Sequence, residues 1–224
     1  MQSKIVGAPI TPKKAQRLYD FLSPIYEYLT RYEHLSKERG LEVAEIRSGY
    51  TMFEVGFGTG QIVIKSAEKV GKDGMVYGIE ISSKMLEQTR KRVKTHELTQ
   101  RVALQLGDAR KLPYEKEVFD VVFNSYMLDL IDTPEISKIL LEFKRVLKPG
   151  GRVVLVNLSK GESWYSNMKI YEWIYGKCPS LLGGCRPVLI RSFLEELGFQ
   201  GVEREFLMAG RVIPSEIVWG DKPK

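Results

Sequence analysis

The chain has 224 residues, 43% of them hydrophobic, with 34 Lys and Arg against 28 Asp and Glu for a net charge of +6. This length and composition describe one globular domain with some elaboration and a sizeable core, and exclude disordered and fibrous classes. No apolar stretch approaches the roughly 18 residues of a membrane-spanning helix.

Met1 to Lys14 contains Pro9, Pro12 and several lysines but no apolar run of signal-peptide length, so a cytoplasmic protein is expected. Cys178 and Cys185 are expected as reduced thiols. His34 and His96 lie too far from them in sequence to complete a metal site. Basic residues are dispersed except for Arg90, Lys91, Arg92 and Lys94, read as the solvated face of a helix, and no nucleic-acid partner is expected.

Taken in order, Ala15 to Leu35 has helical spacing of Leu18, Phe21, Leu22, Ile25 and Leu29, broken or kinked at Pro24. Ser36 to Ile46 predicts a second helix, and Thr51 to Val55 a short apolar strand. Gln61 to Val70 reads as a helix stopped by Gly71. The unit then repeats: strand Met75 to Ile79, a helix capped by Ser82 or Ser83 and running to Thr95, strand Arg101 to Leu106, and strand Phe119 to Phe123. Thr133-Pro134 predicts a helix start with a capping hydroxyl, and Ile136, Ile139, Leu140, Phe143 and Leu147 form its apolar side. Lys148-Pro149-Gly150-Gly151 ends that helix before strand Val153 to Val156. Beyond Ser159 the rhythm changes. Trp164 to Tyr175 reads as an aromatic-rich helix, Cys178 to Pro187 as a loop, Leu189 to Leu197 as a helix, and Val202 to Met208 with Val212 to Val218 as a hairpin. Strands alternating with helices predict an α/β fold: a doubly wound, mostly parallel seven-stranded sheet with a terminal antiparallel hairpin and extra N-terminal helices.

The strongest local signal is Glu54-Val55-Gly56-Phe57-Gly58-Thr59-Gly60, which follows a strand and opens a helix. Its glycines permit a tight turn and close approach of a ligand to the main chain. A dinucleotide loop, Gly-x-Gly-x-x-Gly, would need glycine at position 61 or 63, where Gln61 and Val63 stand. Gly-x-Gly-x-Gly after an acid resembles instead the first motif of class I S-adenosylmethionine (SAM) methyltransferases. The resemblance extends through Glu80 at the end of the second strand, Gly107-Asp108-Ala109, Phe119 to Tyr126, and Arg145 to Gly151, covering Thr51 to Ser159 in the family's order.

That resemblance implies a Rossmann-like methyltransferase fold with SAM as cofactor. Glu54 meets the ammonium of the methionine tail, directly or through water. The loop residues Gly56, Phe57, Gly58 and Gly60 cradle the ligand. Glu80 accepts the ribose hydroxyls, an acceptor-only group matched to a diol, and Ile81 flanks the adenine. Asp108 faces the adenine amino group between the small residues Gly107 and Ala109, and Asn124, Ser125 and Tyr126 lie beside the transferring methyl. Four parts follow: a helical cap at 1–47, the SAM-binding core at 48–159, an acceptor-side insertion at 160–187, and a C-terminal helix and hairpin at 188–224.

Within the family, Arg17-Leu18-Tyr19-Asp20, Ser23-Pro24-Ile25-Tyr26, Leu112-Pro113 and the ending Met208 to Pro214 resemble the ubiquinone/menaquinone-biosynthesis C-methyltransferases. By analogy with their leading helix, Tyr19 and Tyr26 close over the cofactor. The chain departs from that group after the fourth strand, where a Phe-Gly-Leu/Ile-Arg-Asn run is replaced by Tyr126-Met127-Leu128-Asp129-Leu130. The implied acceptor is small, aromatic or lipid-like, such as a quinone precursor, with lipid or small-amine N-methylation or SAM binding without turnover as alternatives. Asp129 and Tyr126 are the candidate catalytic residues, His34 a further candidate base, and Arg186 and Arg191 candidate holders of an acidic oxygen. The aromatic, basic exterior leaves open a homodimer and reversible contact with a membrane surface.

Overall fold

The structure, a computed structural model, describes residues 11–159, 185–209 and 213–224. Seven strands form one sheet: β1 (Thr51–Val55), β2 (Met75–Glu80), β3 (Val102–Leu106), β4 (Phe119–Ser125), β5 (Leu147–Leu158), β6 (Gln200–Ala209) and β7 (Ile213–Asp221). Their spatial order is β3-β2-β1-β4-β5-β7-β6. β1 to β5 run parallel, whereas β7 lies antiparallel to β5 and pairs with β6 as a hairpin. This is the expected fold class. The order reverses between β1 and β4, and in an open α/β sheet ligands bind beyond the carboxyl ends of strands at such a point.

Alternation along each strand divides the core in two. Met52, Val121, Phe123, Val154 and Val156 bury into one face. Their neighbours Phe53, Val55, Val122, Val153 and Leu155 bury into the other. Strands buried on both sides need helices on both sides. The first face packs against α3 (His34–Val43) and α4 (Gln61–Lys69), and the second against α6 (Thr133–Val146) and α7 (Ile190–Glu196). Before α3 stand α1 (Pro12–Leu22), α2 (Tyr26–Leu29) and a single 3-10 turn at Arg31–Glu33, and α5 (Ser83–Thr95) follows β2.

Several boundaries differ from expectation. The first predicted helix is three pieces, because Pro24 cannot supply the amide that would continue α1 past Ser23. α3 starts and ends earlier than predicted, at His34 and Val43. The N-cap of α6 is Asp132, whose carboxylate accepts from the Thr133 amide at 3.1 Å, so Thr133 is already helical. Lys148-Pro149-Gly150-Gly151 is a bulge within β5 rather than a turn before it, held where the Gly150 amide donates to the Lys222 carbonyl at 2.8 Å and the Lys222 amide to the Gly151 carbonyl at 2.8 Å. The predicted helix Trp164 to Tyr175 and the Gly183-Gly184 loop lie outside the described residues. No helix among the described residues is long and apolar enough to cross a membrane.

α3 approaches the sheet closely enough that its glycine matters. A Cβ on Gly40 would lie 2.7 Å from Val156 Cγ2 and 3.2 Å from the Phe123 ring. Alanine in a helix ordinarily gains about 0.5–1 kcal/mol over glycine. Overpacking a core costs about 1–3 kcal/mol. The second effect is the larger, so Gly40→Ala is expected to destabilise the protein by about 1–2 kcal/mol in denaturant unfolding. A stabilised variant would show that α3 sits further from the sheet.

Candidate active site

A cleft of about 770 Å³ opens at the β1/β4 reversal. Its walls come from the loop after β1 (Val55, Gly56, Gly58), the end of β2 (Ile79, Glu80, Ile81), the residues after β3 (Gly107 to Arg110), and Ser125, Tyr126 and Met127 after β4. Pro12, Ala15, Tyr19 and Tyr26 of the N-terminal helices close it from above. A smaller annex of about 300 Å³ continues beneath the loop, lined by Glu54, Lys37, Phe57, Thr59, Gln61 and Ser125.

The loop has the geometry its glycines imply. Gly58 has φ of +51°, and a Cβ there would point between Met85 Sδ (3.6 Å) and the Tyr26 ring (3.8 Å), both of which line the cleft. Gly60 is a different case. It caps α4 in the left-handed region, and its Cβ would collide with Thr89 Cγ2 at 2.2 Å. Gly60 lines neither cavity; it lets α4 pack on α5.

Glu80 joins the loop to the second strand. One carboxylate oxygen accepts from the Gly58 amide at 2.9 Å, the other from the amides of Ile81 and Ser82, each at 2.9 Å. Burial raises its pKa and so disfavours the carboxylate, and the three N–H donors oppose that. Ser82 caps α5, accepting from the Met85 amide at 3.2 Å, and its hydroxyl donates to Asp20 at 2.6 Å. α1 is thereby tied to the same corner.

Glu54 is 1% exposed, and one of its carboxylate oxygens has no hydrogen-bond partner. Burial pushes its carboxyl from the ordinary 4.5 up to about 8, with Lys37 lowering and Glu80 raising it. Lys37 is itself 14% exposed, pairs with buried Glu33 at 2.7 Å, and lies 5.6 Å from the centre of the Tyr126 ring. A buried acid with an unused oxygen, at the floor of a cavity that a loop Cβ would fill, fits a ligand bearing an ammonium group.

Most of the sequence-predicted residues come together here. Tyr19, Tyr26, Gly56, Gly58, Glu80, Ile81, Gly107, Asp108, Ala109, Ser125 and Tyr126 line the cleft, and Glu54 and Phe57 line its annex. Asn124 does not. Its amide donates to the Val55 carbonyl at 2.7 Å, tying β4 to β1 inside the core.

The catalytic candidates are corrected by their surroundings. Asp129 is fully buried outside both cavities, and its two oxygens accept from the Asn157 amide at 2.9 Å and the Leu158 N–H at 3.0 Å. It anchors the end of β5 beside Arg186, also fully buried, whose amide donates to the Asp129 carbonyl at 3.1 Å. The guanidinium donates to the Ile131 carbonyl and the Thr133 hydroxyl, so Arg186 is a structural cation. The Tyr126 hydroxyl pairs with Ser215 at 2.8 Å, and burial raises its pKa, which disfavours the phenolate, while its ring lines the cleft. His34 and Arg191 are exposed, paired with Glu38 and Glu195 respectively, and line neither cavity. The Cys185 sulfur lies 3.8 Å from the Tyr19 hydroxyl, while Cys178 lies outside the described residues.

Sequence reasoning missed Lys37, Asp20, Met85 and Arg110. Glu33, the N-cap of α3, and Lys37, four residues on, carried a readable pairing signal. The Asp20–Ser82 contact spans 62 residues and left none.

A sheet reversing at a glycine loop, with an acid beneath the loop and another at the next strand end, defines a Rossmann-like nucleoside-ligand site. Comparison with known proteins narrows the class. A family model described as a methyltransferase domain matches residues 52–151. The chain is 30% identical to the demethylmenaquinone methyltransferase of Lactococcus lactis, across 96% of this chain and 93% of that protein. It is 27% identical to that of Lactobacillus johnsonii over 173 residues, 72% of this chain and 70% of that one. Among solved structures, a SAM-dependent methyltransferase from Aquifex aeolicus superposes with a TM-score of 0.62 at 23% identity, over 95% of this chain and 98% of the other, a likeness of fold. The chain belongs to the class I SAM-dependent methyltransferases.

The buried Glu54 gives stability a definite pH dependence. Its carboxyl loses its proton near 4.5 when unfolded and near 8 when folded. The native state therefore holds a proton that the unfolded chain has released, and stability falls as pH rises from about 4.5 to about 8. Glu54→Gln should lose that component of the slope and be more stable than the parent at pH 8. An unchanged slope in thermal melts across this range would show Glu54 to be solvated.

Proposed function

We propose that this SAM-dependent enzyme methylates a carbon of a small aromatic acceptor of the quinol type, and that the cleft holds its cofactor. The observation that carries the acceptor class is the match to a demethylmenaquinone methyltransferase along 93% of that protein's length. The lining on the acceptor side supports it: Pro12, Ala15, Leu130 and Ile131 are apolar, and Tyr19 and Tyr26 add aromatic rings 5.7 Å apart.

The bound cofactor supplies an electrophilic methyl group on a sulfonium that departs as a neutral thioether. The chain's own residues then have alignment and water exclusion as their main tasks. Glu54 receives the ammonium and Lys37, in the same annex, the carboxylate of the methionine tail. Glu80, already oriented by three amides, keeps lone pairs for the ribose hydroxyls. Asp108, held by Arg110 at 2.8 Å, faces the adenine amino group, and Ile81, Met85 and Ala109 supply apolar contact to the ring. Tyr19 and Tyr26 cover the reacting centre, and Tyr126 forms its wall. A cytoplasmic setting agrees with this assignment.

Titration calorimetry with SAM and with S-adenosylhomocysteine tests the cofactor half of the proposal. Binding should be micromolar and weaken at least 100-fold in Gly58→Val, whose side chain would fill the cleft. No binding by a folded protein overturns the assignment. Transfer of labelled methyl from SAM to a demethylated naphthoquinol tests the acceptor half; labelling of an amine or phospholipid headgroup in its place would move the protein to N-methylation.

Two finer outcomes follow from the annex. Lys37→Ala should weaken S-adenosylhomocysteine about tenfold or more, as loss of a charge-assisted bond does. It should leave methylthioadenosine, which has no amino-acid tail, unaffected; equal loss for both ligands would give Lys37 a purely structural role. Because Glu54 is mostly protonated at pH 7 and must ionise to pair with an ammonium, binding should release close to one proton there. Calorimetry in buffers of different ionisation enthalpy reads that release, and Glu54→Gln should abolish it.

A further inference from the structure

α1 is two-sided. Pro12, Ala15 and Tyr19, spaced three and four apart, line the cleft. Lys14, Arg17 and Phe21 have the same spacing two residues later, which at about 100° per residue is the opposite side of the helix. The pattern continues past Pro24. Tyr26 faces the cleft, whereas Ile25, Tyr28 and Leu29 are exposed. Phe21 is 77% and Tyr28 82% exposed, and five of the large hydrophobics exposed among the described residues fall between Phe21 and Leu35. Isolated exposed apolar residues are ordinary on a protein surface, but five of them within one short segment are not.

The charges of the same segment are sorted by side. All three of its acids turn inward: Asp20 to Ser82, Glu27 to Arg92 and Gln61, and Glu33 to Lys37. Lys13, Lys14, Arg17 and Arg31 are exposed and form no ion pair with the described residues. An outer face of aromatic and aliphatic side chains rimmed by unpaired cations, with every acid withdrawn, complements an anionic lipid surface.

We infer that the outer face of the α1–α2 segment docks on an anionic membrane, so that the helices whose inner face covers the cofactor cleft rest on the bilayer. Phe21, Ile25, Tyr28 and Leu29 enter the headgroup boundary, and Lys13, Lys14, Arg17 and Arg31 sit at the phosphates. The cleft then opens beside the layer into which a lipid-like acceptor partitions, and the acceptor reaches it without crossing water. The inference stands on the exposure and charge of this face and goes beyond the acceptor assignment, although the two agree.

The test is co-sedimentation of the full chain with vesicles of phosphatidylglycerol and phosphatidylcholine, against vesicles of phosphatidylcholine alone. The parent should pellet with the anionic vesicles at low salt and be released by about 0.5 M salt, which shortens the Debye length to roughly 4 Å. Arg17→Gln/Arg31→Gln should weaken binding by roughly 30-fold, and Phe21→Ser/Tyr28→Ser by on the order of tenfold or more. S-adenosylhomocysteine affinity, measured alongside, should be unchanged in both variants and shows that each is folded. A parent that stays in the supernatant, or variants that pellet as the parent does, would overturn the inference. So would a dimer that Phe21→Ser/Tyr28→Ser converts to monomer without any vesicle binding, because the face would then belong to a second copy of the chain. Loss of S-adenosylhomocysteine binding in the parent would bear on the cofactor assignment alone.

Discussion

The carboxylate of Glu80 is where the glycine loop, the second strand and the N-terminal helices meet. It has no counter-cation among the described residues. Three backbone N–H groups hold it, one from the loop at Gly58 and two from the turn that starts α5. Those bonds set the height of the loop over the strand ends. Ser82, one of the three donors, also caps α5 and passes a hydrogen bond to Asp20. A single buried acid thus positions the floor of the cleft and, through one hydroxyl, its cover. A buried carboxylate is costly unless it is hydrogen-bonded, so the loop and the turn that supply its donors are held to it.

Charge around the cleft is arranged in the same spirit. Glu54 and Glu80 are both buried beside it; Lys37 lowers the pKa of Glu54, and backbone amides that of Glu80. Acids buried with so little compensation are costly in a protein without its ligand. Under the proposed function, Glu54 would meet the ammonium of the ligand and Glu80 its ribose hydroxyls. Elsewhere the buried charges are compensated locally, as Asp129 is by Asn157, the Leu158 amide and nearby Arg186, and Glu216 by Arg204.

The N-terminal segment shows how one short stretch serves two surfaces. Its tyrosines have no common fate: Tyr19 and Tyr26 stack toward the cleft, while Tyr28 points to solvent. Pro24 makes this division workable. By ending α1 it lets α2 take a new direction while both keep an inward and an outward side.

What the sequence determined by itself is what contiguous residues encode. The order of strands and helices, the doubly wound sheet, the hairpin, the glycine loop and the acid at the end of β2 were all legible, because periodicity, capping residues and glycine spacing act over a few positions. So was the apolar side of α6. The tertiary structure decided what depends on distant partners. It turned Asp129 from a candidate base into a strut, through contacts with Asn157 and Leu158, and took Asn124 out of the site by bonding it to Val55. It buried Arg186 and left Arg191 in solvent, although the two stand five residues apart. It also brought Lys37 under the loop beside Glu54. Whether a charged side chain serves as ligand, strut or surface depends on desolvation and on which donors surround it, and both are set by long-range packing rather than by neighbours in the chain.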